Sequence, residues 1–398
     1  LLLGFCNTKL AYNCLAPHIL NLRIAGCFHI DRKSPKLYKN LHVCFIGVTF
    51  ACMLVYTTQQ AIKLFEVRDD MDKVMGTIFL FLTHSDSIYK QVVMLLKAEE
   101  IQELLDIMKG PLFNQGEPDH EKYFKETAYY GKLLLQADNY MALCTCFLWV
   151  LYPFILHVQG KQTEFAIWIP YDGNLELNFY LTSLYVWTLT SWVAFCNTTI
   201  DVTVAFLLAQ CKAQLSILSN NLVYFIQRSK KESMITKAAF ADVVSVRFEN
   251  IVKHHVQILY FARRVQDIFG GAVAYQFIVS GWIICTSVYR MVDVNPASVQ
   301  CWSMVLYICC ILMQVSMYCY YGNEVTHESQ KLKESAYLMN WLDSPLKHRN
   351  HLIFFMERVK KPILPLAGFI IPLSNNTFVS VTASHIYATF ASMPGAAV

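Results

Sequence analysis

Long apolar stretches separated by short charged segments run the length of this chain. Runs of about 20 apolar residues, enough for a bilayer core about 30 Å thick, fall at about 41–59, 74–96, 133–157, 179–208, 266–289, 300–321 and 370–391. Leu41 to Thr58 holds no charge, nor do Cys301 to Tyr321 and Gly368 to Val398. Asp201 alone interrupts the fourth run, and Asp86 and Lys90 the second. Such runs are too long and continuous for the ten-residue alternations of barrel strands. The expected fold class is an all-α membrane protein with seven transmembrane helices. Spans four, five and six continue as charged helical patterns, for example over Lys212 to Arg228. His351 to Lys361 is amphipathic, setting Leu352, Phe355 and Met356 against Arg349, Glu357 and Arg358. Pro362 and Pro365 then break it before the last span.

Composition agrees. Of 398 residues, 55% are hydrophobic and 16% charged, against about 25% charged in soluble domains. Aromatic content of 14% without a short repeat excludes disorder, collagen and coiled coil. Lys9, Arg23 and Pro17 break the first apolar runs, so no cleaved signal is read there; with no initiating Met, a few residues are expected to precede Leu1.

Lys and Arg orient the spans, because basic loops stay cytoplasmic. The segment before span one and the second, fourth and sixth loops carry 27 basic residues; the first, third and fifth loops carry 5, and Lys90 lies within span two. The N-terminus is therefore expected in the cytoplasm and the C-terminus outside. That is the reverse of the G-protein-coupled topology. Span three also lacks an Asp-Arg-Tyr-like end, and Asn295-Pro296 falls in an outer loop.

Candidate chemistry is sparse. Nine of the cysteines, including Cys144 and Cys146, fall inside spans, and Cys6, Cys14, Cys27 and Cys211 lie on the reducing side; free cysteine packing as a small hydrophobe is the reading. Cys144-x-Cys146 lacks zinc spacing and companion ligands. The sequons at Asn197 and Asn375 fall in membrane segments. His327-Glu328 has no second zincin histidine, no Gly-x-Ser-x-Gly occurs, and His254-His255 reads as structural. No enzyme activity, metal or cofactor is expected. Asp86 and Lys90, at i and i+4, can pair within one helix; that structural reading is preferred to an ion or proton role.

The last span differs from the others: it is uncharged yet rich in hydroxyls. Thr382, His385, Thr389 and Ser392 follow helical steps of three and four, with Ser374 further back on the same stripe and Ile386, Phe390 and Met393 along its edge. Two readings stand level: interhelical hydrogen bonding or a water-lined pore. A pore would require several copies around an axis.

The run Tyr321-Gly-Asn-Glu-Val-Thr-His-Glu-Ser-Gln to Tyr337 is followed by Trp341 and by Arg349 through Met356-Glu-Arg-Val-Lys-Lys-Pro362. Together with Ala367-Gly368 and Pro372-Leu-Ser374 to Phe378, it resembles the C-terminal signature of insect odorant receptors. Gln276-Phe277, Ser280 and Ile284-Cys285 resemble the same pattern. The likeness is dense over roughly the last 120 residues and rests on topology upstream. The chain departs from it at Lys360, where the family often has Gln, and at Thr382, where it often has Lys. These departures bear on permeation and gating. The Thr-Tyr and Gln-Phe ending of gustatory receptors, the alternative homo-oligomeric chemoreceptors, is missing.

The resemblance implies a ligand-gated, non-selective cation channel in the plasma membrane of sensory dendrites. It would work as a heterotetramer with a shared odorant co-receptor and bind small volatile ligands. The co-receptor is longer in its second cytoplasmic loop, so this chain looks like an odour-tuning subunit. Its organisation would be a cytoplasmic N-terminal segment (1–40), spans one to six with the odorant-binding bundle (41–321), a cytoplasmic anchor (322–367), and a pore helix with a short tail (368–398). The family's ligands bind in the outer half among spans two, three, four and six. Depth then picks Val74, Thr77, Ile78 and Phe81, then Cys146, Trp149 and Tyr152, then Trp187, Ser191 and Phe195, and finally Met304, Tyr307 and Ile311. The implied pore residues are Thr382, His385, Ile386, Thr389 and Ser392. The outer loops carry five basic and eight acidic residues, mildly favouring cations at the mouth. A secondary transporter would show matched broken helices in two halves; only the final span is broken.

Overall fold

In the computed structural model of the chain, the described residues are 9–30, 34–115, 117–160, 163–171, 175–291 and 294–391. They form a helical bundle. Six of the expected spans lie within α2 (Lys36–Glu66), α3 (Met71–Leu96), α5 (Glu121–Val158), α6 (Glu176–Val223), α8 (Phe240–Met291) and α9 (Val299–Leu338). Shorter helices join them: α1 (Leu10–Ile24), α4 (Ala98–Lys109), α7 (Phe225–Thr236) and α10 (Leu346–Arg358). Among the described residues, α2, α5, α6, α8 and α9 are each long and apolar enough to cross a membrane. α3 starts where the Asp70 carboxylate accepts from the amides of Asp72 and Lys73 at 3.2 and 3.3 Å, and α9 where Ser298 accepts from Cys301 at 3.1 Å; both are N-cap bonds that satisfy amides otherwise left without partners.

The seventh element differs from expectation at its start. Leu366–Ala367 (β1) pairs antiparallel with Ile371–Pro372 (β2), and α11 begins only at Asn375, running to Ala391. Gly368 and Phe369 both take positive φ, 58° and 62°, as a tight hairpin turn requires. Gly368 donates to the Gly270 carbonyl at 2.8 Å, and a side chain at Gly368 would meet Ala274 at 2.9 Å. The turn is therefore clamped onto α8.

The apolar core centres on α6, whose most apolar window is 83% buried, against 17% for α5 and 22% for α2. Helices that carry hydrophobic side chains outward in this way need lipid around them. With 48, 52 and 40 residues, α6, α8 and α9 reach about 60–78 Å at 1.5 Å per residue, far beyond a bilayer core. Their extensions form the basic end of the molecule. There Arg264 bridges Glu100 and Glu103 at 3.2 and 2.8 Å, Arg228 meets Asp119 at 3.1 Å, and Lys230 meets Asp343 at 2.9 Å.

Candidate functional site

A cavity of about 50 Å³ lies between α3, α5, α6 and α9, room for about three or four waters on that measure. Trp149, Tyr307 and Phe79 meet edge-on or tilted at one side of it, with ring centroids 5.0–5.6 Å apart. Leu80, Cys146, Val193 and Ile311 add apolar wall. Around them, the hydroxyls are already bonded. Tyr307 pairs with Thr83, Thr190 with Tyr56 at 2.8 Å, and Thr198 donates to Asn139 at 2.6 Å. Thr145 lies 3.6 Å from the Cys310 sulfur. Such a surface offers a small apolar ligand contact area and a few exchangeable hydrogen bonds.

Asn197 and Gln314 line the same cavity, and both belong to a polar network on its opposite side. The Asn197 carbonyl oxygen accepts from Lys90 at 3.0 Å. Gln276 donates to Gln314 at 3.1 Å and to Ser280 at 3.0 Å, and accepts from Lys90. Lys90 contacts Asp86 at 2.7 Å and Asp201 at 2.6 Å, all three side chains at most 2% exposed. Tyr318 donates to Asp201 at 2.7 Å. The expected Asp86–Lys90 pair therefore exists, but it extends to three further helices. Nearby Asp138 is fully buried, and neither carboxylate oxygen has a hydrogen-bond partner.

Of the ligand residues drawn from the sequence, Cys146, Trp149, Tyr307 and Ile311 line the cavity. The others do not. On α3 the wall is Leu80, Thr83 and His84; Val74, Thr77 and Ile78 lie nearer the start of the helix, and Phe81, between Leu80 and Thr83, is outside the lining. Thr77 spends its hydroxyl on the Lys73 carbonyl at 3.1 Å. On α6 the wall is Thr190, Val193, Ala194, Asn197 and Thr198. Trp187 is 41% exposed, Phe195 packs against the main core and Ser191 is outside the lining. Met304 and Tyr152 lie above the cavity, toward the start of α9 and the end of α5, and are not part of it. Depth alone set those choices, and α6, apolar around its circumference, gives no face to read. Three lining residues outside the sequence-drawn set carry a signal of their own: His84, Asn197 and Gln314 are polar interruptions of apolar spans.

In α11, Thr382 is half-buried, His385, Ile386 and Thr389 are described by backbone alone, and Ser392 lies outside the described residues, as does Cys6. Two contacts hold the segment just before this helix against α9 and α8, which also bear on the cavity and its polar network. Gly322 of α9, about 12 Å along the helix from Gln314, has no room for a side chain because Leu373 would lie 2.4 Å from it. The hairpin turn at Gly368 sits on α8 one turn and a half from Gln276.

At the basic end, His254 Nε2 donates to the Gln214 side-chain oxygen at 2.9 Å, with the ring against Phe113. Burial, with His120 and His255 nearby, pushes its pKa down to about 3. Burial and then Arg358 lower that of His255 to about 4.

The profile of a family described as 7tm Odorant receptor matches residues 70–385. Odorant receptor 94a of Drosophila melanogaster is 26% identical over 287 residues, 70% of this chain and 69% of that one. Odorant receptor 22b of the same fly is 21% identical over 224 residues, 56% and 54% respectively. The match thus spans about half the length of the second relative and two thirds of the first. The fold is similar to that of olfactory receptor OR5 from Machilis hrabei, alone (TM-score 0.82, 14% identity) and in complex with eugenol (0.79, 15%), each covering 95% of this chain and 97% of that one.

Proposed function

The chain belongs to the seven-transmembrane odorant receptor family, a family of receptors rather than enzymes, and from that premise we propose that it is an odour-tuning subunit of a ligand-gated cation channel. The observation that carries this reading is the cavity walled by α3, α5, α6 and α9, with α9 running on to the base of α11. The proposed ligand is a small volatile of low polarity bearing one hydroxyl or carbonyl. Burying roughly 150 Å² of apolar surface is worth about 4 kcal/mol, a millimolar affinity by itself. Hydrogen bonds to the hydroxyls, Asn197 or Gln314 would supply the rest and set orientation.

At about 50 Å³ the cavity is contracted; small-molecule sites run to about 300–1,000 Å³. A ligand must therefore push its walls apart. Only an arrangement with a wider cavity binds well, so ligand shifts the population toward it. Of the four walls, α9 touches Leu373, and α8, bonded to α9 through Gln276 and Gln314, holds the hairpin turn. Both routes reach the start of α11, which in this reading lines the pore with Thr382, His385, Ile386, Thr389 and Ser392. Uncharged side chains there suit hydrated cations without selecting one.

The split of basic residues supports a cytoplasmic N-terminus and an outward C-terminus in the plasma membrane. Assembly with the co-receptor is supported by apolar side chains standing exposed on the basic end, including Phe354 at 75% and Leu346 at 79%. The test is expression with and without the co-receptor, recording currents against esters, alcohols and terpenes. Ligand-evoked currents that require both chains are expected. Currents from this chain alone would indicate the homo-oligomeric alternative, and their absence throughout, with both chains at the surface, would sink the reading.

A further inference from the structure

A second, larger space opens on the side of the bundle where three long helices pass from their apolar to their charged halves. α5, α6 and α9 form this groove, the start of α11 closes it, and its volume is about 580 Å³. One end is apolar, with Leu133, Leu134, Met313 and Phe378. The other carries Tyr123, Glu126, Tyr130, Lys212, Tyr320 and Tyr321. The change falls at the ends of spans three, four and six as drawn from the sequence, at about residues 133, 208 and 321. Tyrosines concentrate at that level because their rings are apolar and their hydroxyls are not. The groove therefore straddles the boundary between hydrocarbon and headgroup, and only an amphipathic occupant satisfies both ends.

Its polar end discriminates by charge. Lys212 is held 2.9 Å from Glu324, with both side chains partly exposed. Glu126, exposed, stands near enough to act on the same ammonium. The Lys122 ammonium lies over the Tyr123 ring, 4.8 Å from its centroid, so two carboxylates meet two ammoniums and this end is balanced, which suits a headgroup carrying both charges better than an anionic one. Tyr320 and Tyr321 meet edge to face at 5.2 Å, while Tyr130 and Tyr320 are 51% and 49% exposed. Tyrosine faces beside a carboxylate attract quaternary ammonium.

We propose that this groove is a binding site for one zwitterionic phospholipid. Its choline lies among Tyr130, Tyr320 and Glu126, its phosphate reaches Lys212, and an acyl chain runs along Leu133 and Met313 to Phe378. Because Asn375 and Phe378 belong to the first turn of α11, the lipid rests against the base of the last helix. This site requires the chain to be in a membrane but does not depend on the odorant reading.

The experiment is photolabelling of the receptor, purified from membranes with any partner it retains, in nanodiscs containing a diazirine-bearing phosphatidylcholine. Label is expected in the peptides around residues 123–134 and 313–321, displaced by phosphatidylcholine and not by phosphatidylglycerol. Tyr130→Ala with Tyr320→Ala should cut it about fivefold, and the paired Phe variants should keep it. Exposed Glu126→Lys, which leaves the aromatic packing alone, should reverse the preference toward phosphatidylglycerol. Uniform labelling of all outward helix faces, or unchanged headgroup preference in Glu126→Lys, overturns the proposal. So does high-yield disulfide cross-linking between subunits through Tyr130→Cys, which would make the groove a protein interface.

Discussion

The Lys90 ammonium on α3 lies 2.6 Å from an Asp201 carboxylate oxygen on α6, and neither side chain is more than 1% exposed. Asp86 is 2.7 Å away on the other side. Each of these ions would be prohibitive alone in the apolar bundle; together they fasten α3 to α6, with Gln276 adding α8 and Tyr318 adding α9. Lys90→Met should therefore destabilise the folded receptor by about 3–5 kcal/mol, the cost of stranding a buried charge. Its detergent melting temperature checks this. Adding Asp201→Leu and Asp86→Leu should recover part of the loss. A single variant that melts with the parent would show that the network contributes nothing.

Within the cavity, Trp149→Ala removes the ring that meets Phe79 and Tyr307. Dose–response curves should shift to weaker potency by tenfold or more for small ligands, since about 1.5–3 kcal/mol of buried contact is lost. Bulkier ligands should gain on them. Gln314→Leu should penalise ligands bearing a hydroxyl or carbonyl and spare hydrocarbons, by about 0.5–1.5 kcal/mol or two- to tenfold. Equal shifts for both classes would remove Gln314 from the site.

Gly322→Ala separates coupling from binding. In an open helix the change would stabilise by about 1 kcal/mol. Here the new carbon would lie 2.4 Å from the Leu373 side chain and 2.7 Å from its carbonyl oxygen, so α9 and the base of α11 must part. Maximal current should fall while half-maximal concentration moves less than about twofold. A pure potency shift with full current would contradict the route through Leu373.

Tryptophan placed on the last helix tests the pore. Thr389→Trp and Ser392→Trp should reduce ligand-evoked current and alter relative permeability to large and small cations. Currents and permeability identical to the parent would assign the hydroxyl stripe to helix packing.

Acid should loosen the basic end. His254 and His255 have folded pKa values of about 3 and about 4, below the usual 6.5, because burial opposes their charge. Their contribution is fully present above about pH 6.5 and falls away as the pH drops toward those values. Between pH 6.5 and 5 the loss should approach about 1.4 kcal/mol per pH unit for each histidine. Melting temperatures between pH 7.5 and 5 should decline more steeply in the parent than in His254→Gln, whose amide can still meet Gln214. Parallel declines would rule out His254 as the source.

Residues 41–59 and 300–321 were legible as spans because the bilayer demands a fixed apolar length, and that demand is one-dimensional. The start of the last helix was not: residues 370–372 are apolar enough for a span, yet β1 and β2 pair there around Gly368, a choice made by contact with Gly270 on α8. The cavity was legible at Cys146, Trp149, Tyr307 and Ile311 by depth. At Trp187 and Phe195 it was not, because depth says nothing about rotation around the axis of a helix as evenly apolar as α6, and Val74 lies too near the start of α3 to reach the wall at Leu80.

By itself, then, the sequence determined that the chain is a bundle of spanning helices, which end is basic, and which family signature closes it. Each of those follows from local composition or order along the chain. The tertiary structure alone decided that Lys90 serves Asp201 as well as Asp86, that Asn197 and Gln314 join the cavity to that network, and that Gly322 bears on Leu373. These depend on how neighbouring helices are turned toward one another. Side-chain contacts between residues as far apart as Thr83 and Tyr307, 224 positions along the chain, set that rotation, and no window of sequence contains them.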